Sequence, residues 1–138
     1  MADIVSPKKR SWMMSRVSGK DTKPELRLRS ALHRMGYRFR LHSKNLPGTP
    51  DLVLKKYRTV VLVHGCFWHR HKGCKKCTTP KVNREFWAMK FEQNVMRDRR
   101  NYELLRKARW NILTVWECEV ADIEKVCERI EMALMLSK

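Results

Sequence analysis

The segment 64–74 concentrates side chains that can bind metals and nucleic acids. Its sequence, HGCFWHRHKGC, contains three histidines, two cysteines and the adjacent rings of Phe67 and Trp68. Histidine and cysteine at short spacing are typical ligands of zinc. Aromatic rings beside positive charges favour nucleic acid, because rings stack on bases and cations neutralise phosphates. The segment therefore combines candidate metal ligands with a candidate nucleic-acid contact.

The spacing of the cysteines and histidines predicts one structural zinc site. Cys118 follows a strand expected at the centre of the sheet, and it would meet the 64–74 segment if that strand lies beside strand 60–63. Four protein ligands are typical of structural zinc. The candidate set is Cys66, His71, Cys74 and Cys118.

Two of these four positions have alternatives in the sequence. Cys77 could replace Cys74, and His69 could replace His71. Cys127 lies on the apolar face of a predicted helix and is expected to be a core residue.

A carboxylate near two histidines predicts a second metal site, this one for magnesium. Asp51 directly follows a Gly-x-Pro turn at the start of a predicted strand, while His64 and His69 lie at the end of a buried one. Magnesium prefers oxygen ligands and can neutralise a scissile phosphate, while a histidine can take a proton from the attacking water. Glu25 is a further candidate carboxylate for this site, although its presence is explained equally well by capping of a predicted helix.

The charge of the chain indicates a polyanionic partner. Thirty-one Lys and Arg residues stand against fourteen Asp and Glu, which gives a net charge of +17 over 138 residues. Such an excess of positive charge favours nucleic acid as the partner. No run approaches the roughly 20 apolar residues of a membrane span, and the N-terminus lacks the apolar core of a signal peptide. We therefore expect a cytoplasmic, nucleoid-associated protein whose five cysteines bind metal or stay reduced.

The predicted elements follow the order α-β-β-β-α-β-α, which is typical of an α/β domain with a mixed sheet covered by helices. Residues 1–21 are predicted to form a basic arm and residues 22–138 a single domain. The helices are expected from Thr22 to Gly36, from about Asn83 to Lys107, and from about Ile123 onward. The strands are expected at 37–41, 51–54, 60–63 and 111–116, with the last one buried.

Adjacent aromatic residues predict contacts with DNA bases. Phe67 and Trp68 are consecutive, so they cannot both face one core. Exposed rings can wedge between base pairs and open a duplex. Trp87 suits either the core or such a wedge, whereas Phe86 is predicted to fill the core.

Matches spread over almost the whole chain resemble the very-short-patch-repair (Vsr) DNA mismatch endonucleases. They cover 14–16, 20–25, 46–51, 64–69, 84–87, 97–100 and 115–118, together with Asn94. The resemblance implies a restriction-endonuclease-like fold. It also implies a magnesium-dependent nick on the 5′ side of the mismatched thymine in a T:G pair, which arises when 5-methylcytosine deaminates.

The same resemblance implies roles for individual residues. Asp51 would bind Mg²⁺ with help from the backbone carbonyl of Val63, and His69 would activate water. Glu25 and His64 would hold metal-bound waters. The structural zinc would lie on Cys66, His71, Cys74 and Cys118. The implied DNA contacts are Phe67, Trp68, Trp87, Met14, Arg16, Lys20, Lys90 and Asn94.

The expected partners follow from this reaction. They are double-stranded DNA with a T:G mismatch, mismatch-repair proteins and a repair polymerase, and the chain is expected to act as a monomer in a bacterial cell. One alternative is a DNA nickase without strict mismatch specificity. Another is a zinc-stabilised DNA-binding module without catalysis, which would show salt-sensitive binding but no magnesium-dependent nicking.

Overall fold

Helices and strands alternate along the chain in the order that the sequence predicts. The structure is a computed structural model that describes residues 22–75 and 77–136. The helices are α1 (Lys23–Arg34), α2 (Arg84–Lys107) and α3 (Ile123–Leu136). The strands are β1 (Arg40–Leu41), β2 (Leu52–Leu54), β3 (Thr59–His64) and β4 (Asn111–Trp116). Short 3₁₀ helices occupy Lys55–Tyr57 and Glu117–Asp122. The mixed α/β class is confirmed, while the predicted arm, residues 1–21, lies outside the described residues.

The four strands form one mixed sheet in the order β1-β2-β3-β4. β1 and β2 pair antiparallel, as do β2 and β3, whereas β3 and β4 are parallel. The sequence 59–64 is rich in valine and almost entirely buried, which is typical of a central strand. The parallel register brings His64 opposite Trp116, so the chain leaves both strands at the same edge of the sheet.

The prediction that 111–116 is a buried, central strand was wrong in position. The strand exists over those residues, but β4 is the last strand of the sheet and only Val115 in it is buried. The connection through α2 returns the chain beside β3, and among the described residues no further strand pairs with β4. Its apolar sequence reflects packing against helices rather than a central place in the sheet.

The first predicted strand is shorter than expected. Only Arg40–Leu41 pairs with β2, and both residues are exposed. Tyr37 and Phe39 instead pack on the core from a segment outside the sheet. His42 has a φ of 46°, a left-handed conformation that ends the strand.

Alternation along the strands gives the sheet two apolar faces. Leu52, Leu54 and Val61 join the main core with α1 and α3. Val53 and Val60 pack with Leu105 of α2 on the opposite face. The sheet therefore lies between helices, and its exposed edges and ends are left to carry polar side chains. Among the described helices, none is long and apolar enough to cross a membrane.

Helix α1 places Glu25 beside the end of the sheet. The Thr22 side chain accepts a hydrogen bond from the Glu25 N–H at 3.4 Å, as expected for an N-cap, and Pro24 lies in the first turn. Leu28 and Leu32 are fully buried in the core. This packing fixes the rotation of α1 and buries Glu25 to 1% exposure.

Candidate active site and metal centre

The parallel pair β3 and β4 delivers two groups of polar side chains to one edge of the sheet. Beyond His64, the chain turns so that the His69 N–H donates to the Gly65 carbonyl and the His71 N–H to the Cys66 carbonyl. Cys118 follows the end of β4. The turn after β3 therefore contributes to both groups, one built on cysteines and one around Asp51.

Four side chains form a compact cysteine and histidine group. Their ligand atoms all lie within 4.8 Å of one another: Cys66, His71, Cys74 and Cys118. The His71 Nδ1 is 3.6 Å from the Cys66 Sγ and 3.4 Å from the Cys118 Sγ. Such spacing fits one tetrahedral ion with bonds of about 2.0 to 2.3 Å.

The surroundings of this group hold it rigid. The His71 ring stacks on Trp116 with centroids 4.2 Å apart, and the Cys66 N–H donates to the Glu117 carboxylate at 3.1 Å. Burial raises the pKa of the Cys66 thiol to about 12 and also raises the pKa of Cys118. A bound cation would favour the thiolate forms. The donor set and its crowding therefore suit zinc.

The remaining cysteines lie outside this group. Cys77 is partly buried, but the group contains Cys74 instead. Cys127 is buried in the main core, as predicted. His69 belongs to a different group of side chains, with His64 and Asp98.

Asp51 lines a cavity of about 520 Å³ at the end of the sheet. Its Oδ2 accepts a hydrogen bond of 2.7 Å from the Val63 N–H, which fixes the carboxylate against β3. His64, His69 and Asp98 line the same cavity. The structure thus brings Asp51 and the two predicted histidines to one space, although their ligand atoms fall into two neighbouring groups.

The Glu25 carboxylate contacts both Arg29 and His42. Its Oε2 accepts a 2.7 Å hydrogen bond from Arg29, one turn along α1, and lies 3.5 Å from His42. The pKa of Asp51 is raised to about 8, first by burial and then by the neighbouring Glu25 carboxyl, although the Val63 N–H lowers it. A divalent cation would relieve the crowding of these two carboxyl groups, of which Asp51 has the raised pKa.

His64 and His69 stack on each other with centroids 3.9 Å apart. The His69 Nδ1 forms a 2.6 Å hydrogen bond with Asp98 of α2, which leaves Nε2 as the nitrogen able to accept a proton. Burial, followed by the charge of His69, lowers the pKa of His64 to about 4, so His64 is neutral at physiological pH. The two histidines therefore differ in chemistry although they are adjacent.

An aromatic cluster includes Phe67 and Trp68, which directly precede the cavity residue His69 in the chain. Phe67 contacts Trp68, Trp87 and Phe91 at centroid distances of 5.1, 5.7 and 5.2 Å. Trp87 is 9% exposed, whereas the prediction that Phe86 fills the core was wrong, since it is 59% exposed. Consecutive helical residues point about 100° apart, so only one of the pair can face the core.

Polar residues connect this cluster to α2. The Asn94 side-chain amide is buried and donates to the Trp68 carbonyl at 3.2 Å, while Lys90 is only partly buried. The Arg70 guanidinium lies 3.9 Å from the centroid of Phe91 and donates to the Thr78 carbonyl at 2.8 Å. The three predicted arm contacts, Met14, Arg16 and Lys20, lie outside the described residues.

Comparison with known proteins decides the family. The sequence profile of the family described as DNA mismatch endonuclease Vsr matches residues 2–76. The DNA mismatch endonuclease Vsr of Escherichia coli (strain K12) is 41% identical over 128 residues, which cover 93% of this chain and 81% of that protein. The chain belongs to the DNA mismatch endonuclease Vsr family. The resemblance seen in the sequence is confirmed.

Two further relatives of the chain have names that refer to nicking. The type II nicking enzyme V.XorIIP of Xanthomonas oryzae pv. oryzae is 45% identical over 134 residues, covering 97% of this chain and 98% of the relative. The type II nicking enzyme V.NmeAIP of Neisseria meningitidis serogroup A is 42% identical over 130 residues, covering 94% and 92%. Membership of the Vsr family makes the chain a DNA endonuclease, and DNA its substrate.

The sequence assigned no role to two residues near the Asp51 cavity, Asp98 and His42. Asp98 lies in the charged segment 97–100, which matches the family but contains no feature that gives Asp98 a role. His42 follows Leu41 in a pattern that reads as alternating strand residues. Both stand near the predicted site only because α2 and β1 pack around the end of β3, and no local signal in the sequence carries that information.

Proposed function

We propose that this chain is a mismatch-directed nicking endonuclease that cuts one strand of duplex DNA 5′ of the mismatched thymine in a T:G pair. The observation that supports it best is one cavity lined by Asp51 and the His69–Asp98 pair, beside an aromatic cluster. One relative is named a DNA mismatch endonuclease and another a nicking enzyme. The cut would begin very short patch repair of deaminated 5-methylcytosine.

Magnesium is the proposed catalytic ion. Asp51 would hold it with the backbone carbonyl of Val63, and Glu25 and His64 would hold its water ligands. When bound, Mg²⁺ neutralises charge on the scissile phosphate. The position of Asp51 before β2 and of His64 at the end of β3 supports a restriction-endonuclease-like core.

His69 is the proposed general base. A water molecule would lose a proton to Nε2 of His69 while its oxygen forms a bond to phosphorus. The bond between phosphorus and the deoxyribose oxygen of the cut strand would break, and that oxygen would leave. Asp98, 2.6 Å from Nδ1, would keep the ring oriented and stabilise its protonated form. His64 is a poor candidate for this step, because its pKa of about 4 makes it a weak base.

Zinc is the proposed structural ion. It would be held by Cys66, His71, Cys74 and Cys118, whose ligand atoms lie within 4.8 Å of one another. Four protein ligands leave no open position for a substrate. The zinc would therefore fix the turn that carries Phe67, Trp68 and His69.

The aromatic cluster is the proposed wedge for opening the mismatch. Phe67, Trp68 and Trp87 would insert beside the T:G pair. Their contacts with the bases would offset the cost of unstacking, which is about a few kcal/mol. Their close mutual packing means that the rings would separate as DNA enters. Lys90 and Asn94 would contact the opened strand, and the arm residues Met14, Arg16 and Lys20 the opposite groove. Salt-dependent affinity would follow from the net charge of +17.

The other proposed features concern assembly. The chain would act as a monomer, because one cavity of this kind suits a cut in one strand. Mismatch-repair proteins and a repair polymerase would act on the nicked product. These partners follow from the proposed reaction rather than from a surface of the described residues.

A nicking assay tests this function. End-labelled duplexes carrying T:G, every other mismatch, and matched T:A or C:G pairs are incubated with the chain and Mg²⁺ in several flanking sequences. The expected product is one cut strand, 5′ of the mismatched thymine, from T:G duplexes only. Equal cutting of matched DNA would favour a nickase without mismatch specificity, as the names of two relatives suggest. Absence of cutting in every duplex would favour a binding module.

A further inference from the structure

His42 lines the same cavity as Asp51 and has no part in the mechanism proposed above. Its backbone N–H donates to the Asp51 carbonyl oxygen at 3.2 Å. Its φ of 46° is a conformation that non-glycine residues rarely adopt and that often occurs at functional sites. The backbone therefore ends β1 at a strained residue placed directly beside Asp51.

The two ring nitrogens of His42 face different partners. Nε2 lies 3.3 Å from the Arg29 guanidinium and 3.5 Å from the Glu25 Oε2. Nδ1 lies 4.0 Å from the Asp51 Oδ1. A histidine that binds a metal through one nitrogen commonly has its other nitrogen held by a carboxylate. Glu25, itself fixed by Arg29 at 2.7 Å, can serve as that carboxylate.

The gap between His42 Nδ1 and Asp51 Oδ1 suits an ion. At 4.0 Å the two atoms are too far apart for a hydrogen bond. A divalent cation between them would have room to be held by both atoms. The ligand atoms of Glu25, His42 and Asp51 all lie within 4.8 Å of one another.

We propose that His42 is a nitrogen ligand of the divalent cation bound at Asp51, an inference that rests on the proposed function of that site. Glu25 then orients the imidazole and holds waters rather than binding the ion directly. Imidazole suits transition metals, whereas Mg²⁺ strongly prefers oxygen. The site should therefore accept Mn²⁺ as well as Mg²⁺, and His42 should matter more for Mn²⁺.

Binding of Mn²⁺ to the full chain, loaded with zinc and free of DNA, tests this role. Electron paramagnetic resonance counts the bound Mn²⁺, and electron spin echo spectra of protein with ¹⁵N-labelled histidine detect a histidine nitrogen bonded to it. His42→Gln should remove that nitrogen coupling and weaken Mn²⁺ binding about tenfold, with a smaller loss for Mg²⁺. His42→Asn should do the same, and circular dichroism shows whether each variant is folded. His33→Gln is the matched control, because His33 is an exposed histidine of α1.

Three results would overturn the proposal. They are a wild-type Mn²⁺ spectrum without histidine coupling, coupling that survives in a folded His42 variant, and coupling that disappears in His64→Gln or His69→Gln instead. The proposed function fails separately, if the wild type with Mg²⁺ does not nick a T:G duplex. Because the Mn²⁺ measurement contains no DNA, the two failures are distinguishable.

Discussion

The cysteine group and the Asp51 cavity lie at the same edge of the sheet but differ in how much open space they leave around a bound metal. The group of Cys66, His71, Cys74 and Cys118 brings four protein donors within 4.8 Å. The cavity instead leaves about 520 Å³ in front of Asp51. A metal with four protein ligands is typically structural, whereas a catalytic metal keeps an open position. One turn after β3 therefore contributes both to a rigid support and to a site with room for substrate.

The largest effect should come from breaking the closed group. Cys118→Ser removes one donor and leaves Cys66 buried near His71, so we expect loss of bound zinc and of most folding stability, with nicking lost as well. Zinc content and thermal unfolding measure this. Cys77→Ser is the matched control, because Cys77 is a partly buried free cysteine outside the group. A zinc content that fell equally in both variants would contradict the ligand set.

The next largest effect should come from a change in the Asp51 cavity that leaves the cysteine group intact. His69→Gln removes the proposed base, so single-turnover nicking of a T:G duplex should fall by about 10²- to 10⁴-fold. Zinc content and the thermal unfolding midpoint should stay close to wild type. Asp98→Asn keeps a hydrogen-bonding partner for His69, and its loss of rate should be smaller. Wild-type nicking by His69→Gln would remove His69 from the mechanism.

The smallest effect concerns the charge of Asp51 in metal-free protein. Its pKa of about 8 exceeds the ordinary 3.8, so between these values the folded chain holds a proton that the unfolded chain releases. The free energy of unfolding should therefore fall as pH rises from about 4 to about 8, by at most about 1.4 kcal/mol per pH unit from this group. Asp51→Asn should flatten the slope in denaturant titrations. An identical slope in both proteins would show that Asp51 is ionised without metal.

The sequence predicted the parts of the molecule that local patterns encode. The buried valines of β3, the N-cap at Thr22 and the Pro-Asp turn each have a short-range signature, so Asp51 and His64 could be placed at strand ends. The spacing of cysteines also led to the four-membered group, although it could not decide between Cys74 and Cys77.

The features that the sequence did not predict depend on tertiary packing. The apolar run 111–116 is typical of a central strand, and only the order of strands in the sheet shows that β4 is an outer strand. Phe86 and Trp87 are both apolar, and the rotation of α2 decides which is buried. Asp98 reaches His69 from a distant helix, so the charged segment 97–100 alone does not predict this contact.

The most direct test of the account uses one protein sample and two metals. Gel filtration into buffer cleared of divalent cations should leave about one zinc per chain and remove the weakly held catalytic ion, because four thiolate and imidazole ligands bind zinc far more tightly. We predict that this protein does not nick a T:G duplex until Mg²⁺ alone is added, and that Asp51→Asn treated in the same way stays inactive with its zinc intact. Activity that persists without Mg²⁺, or that returns only when zinc is added, would contradict the division between a structural cysteine group and a catalytic Asp51 cavity.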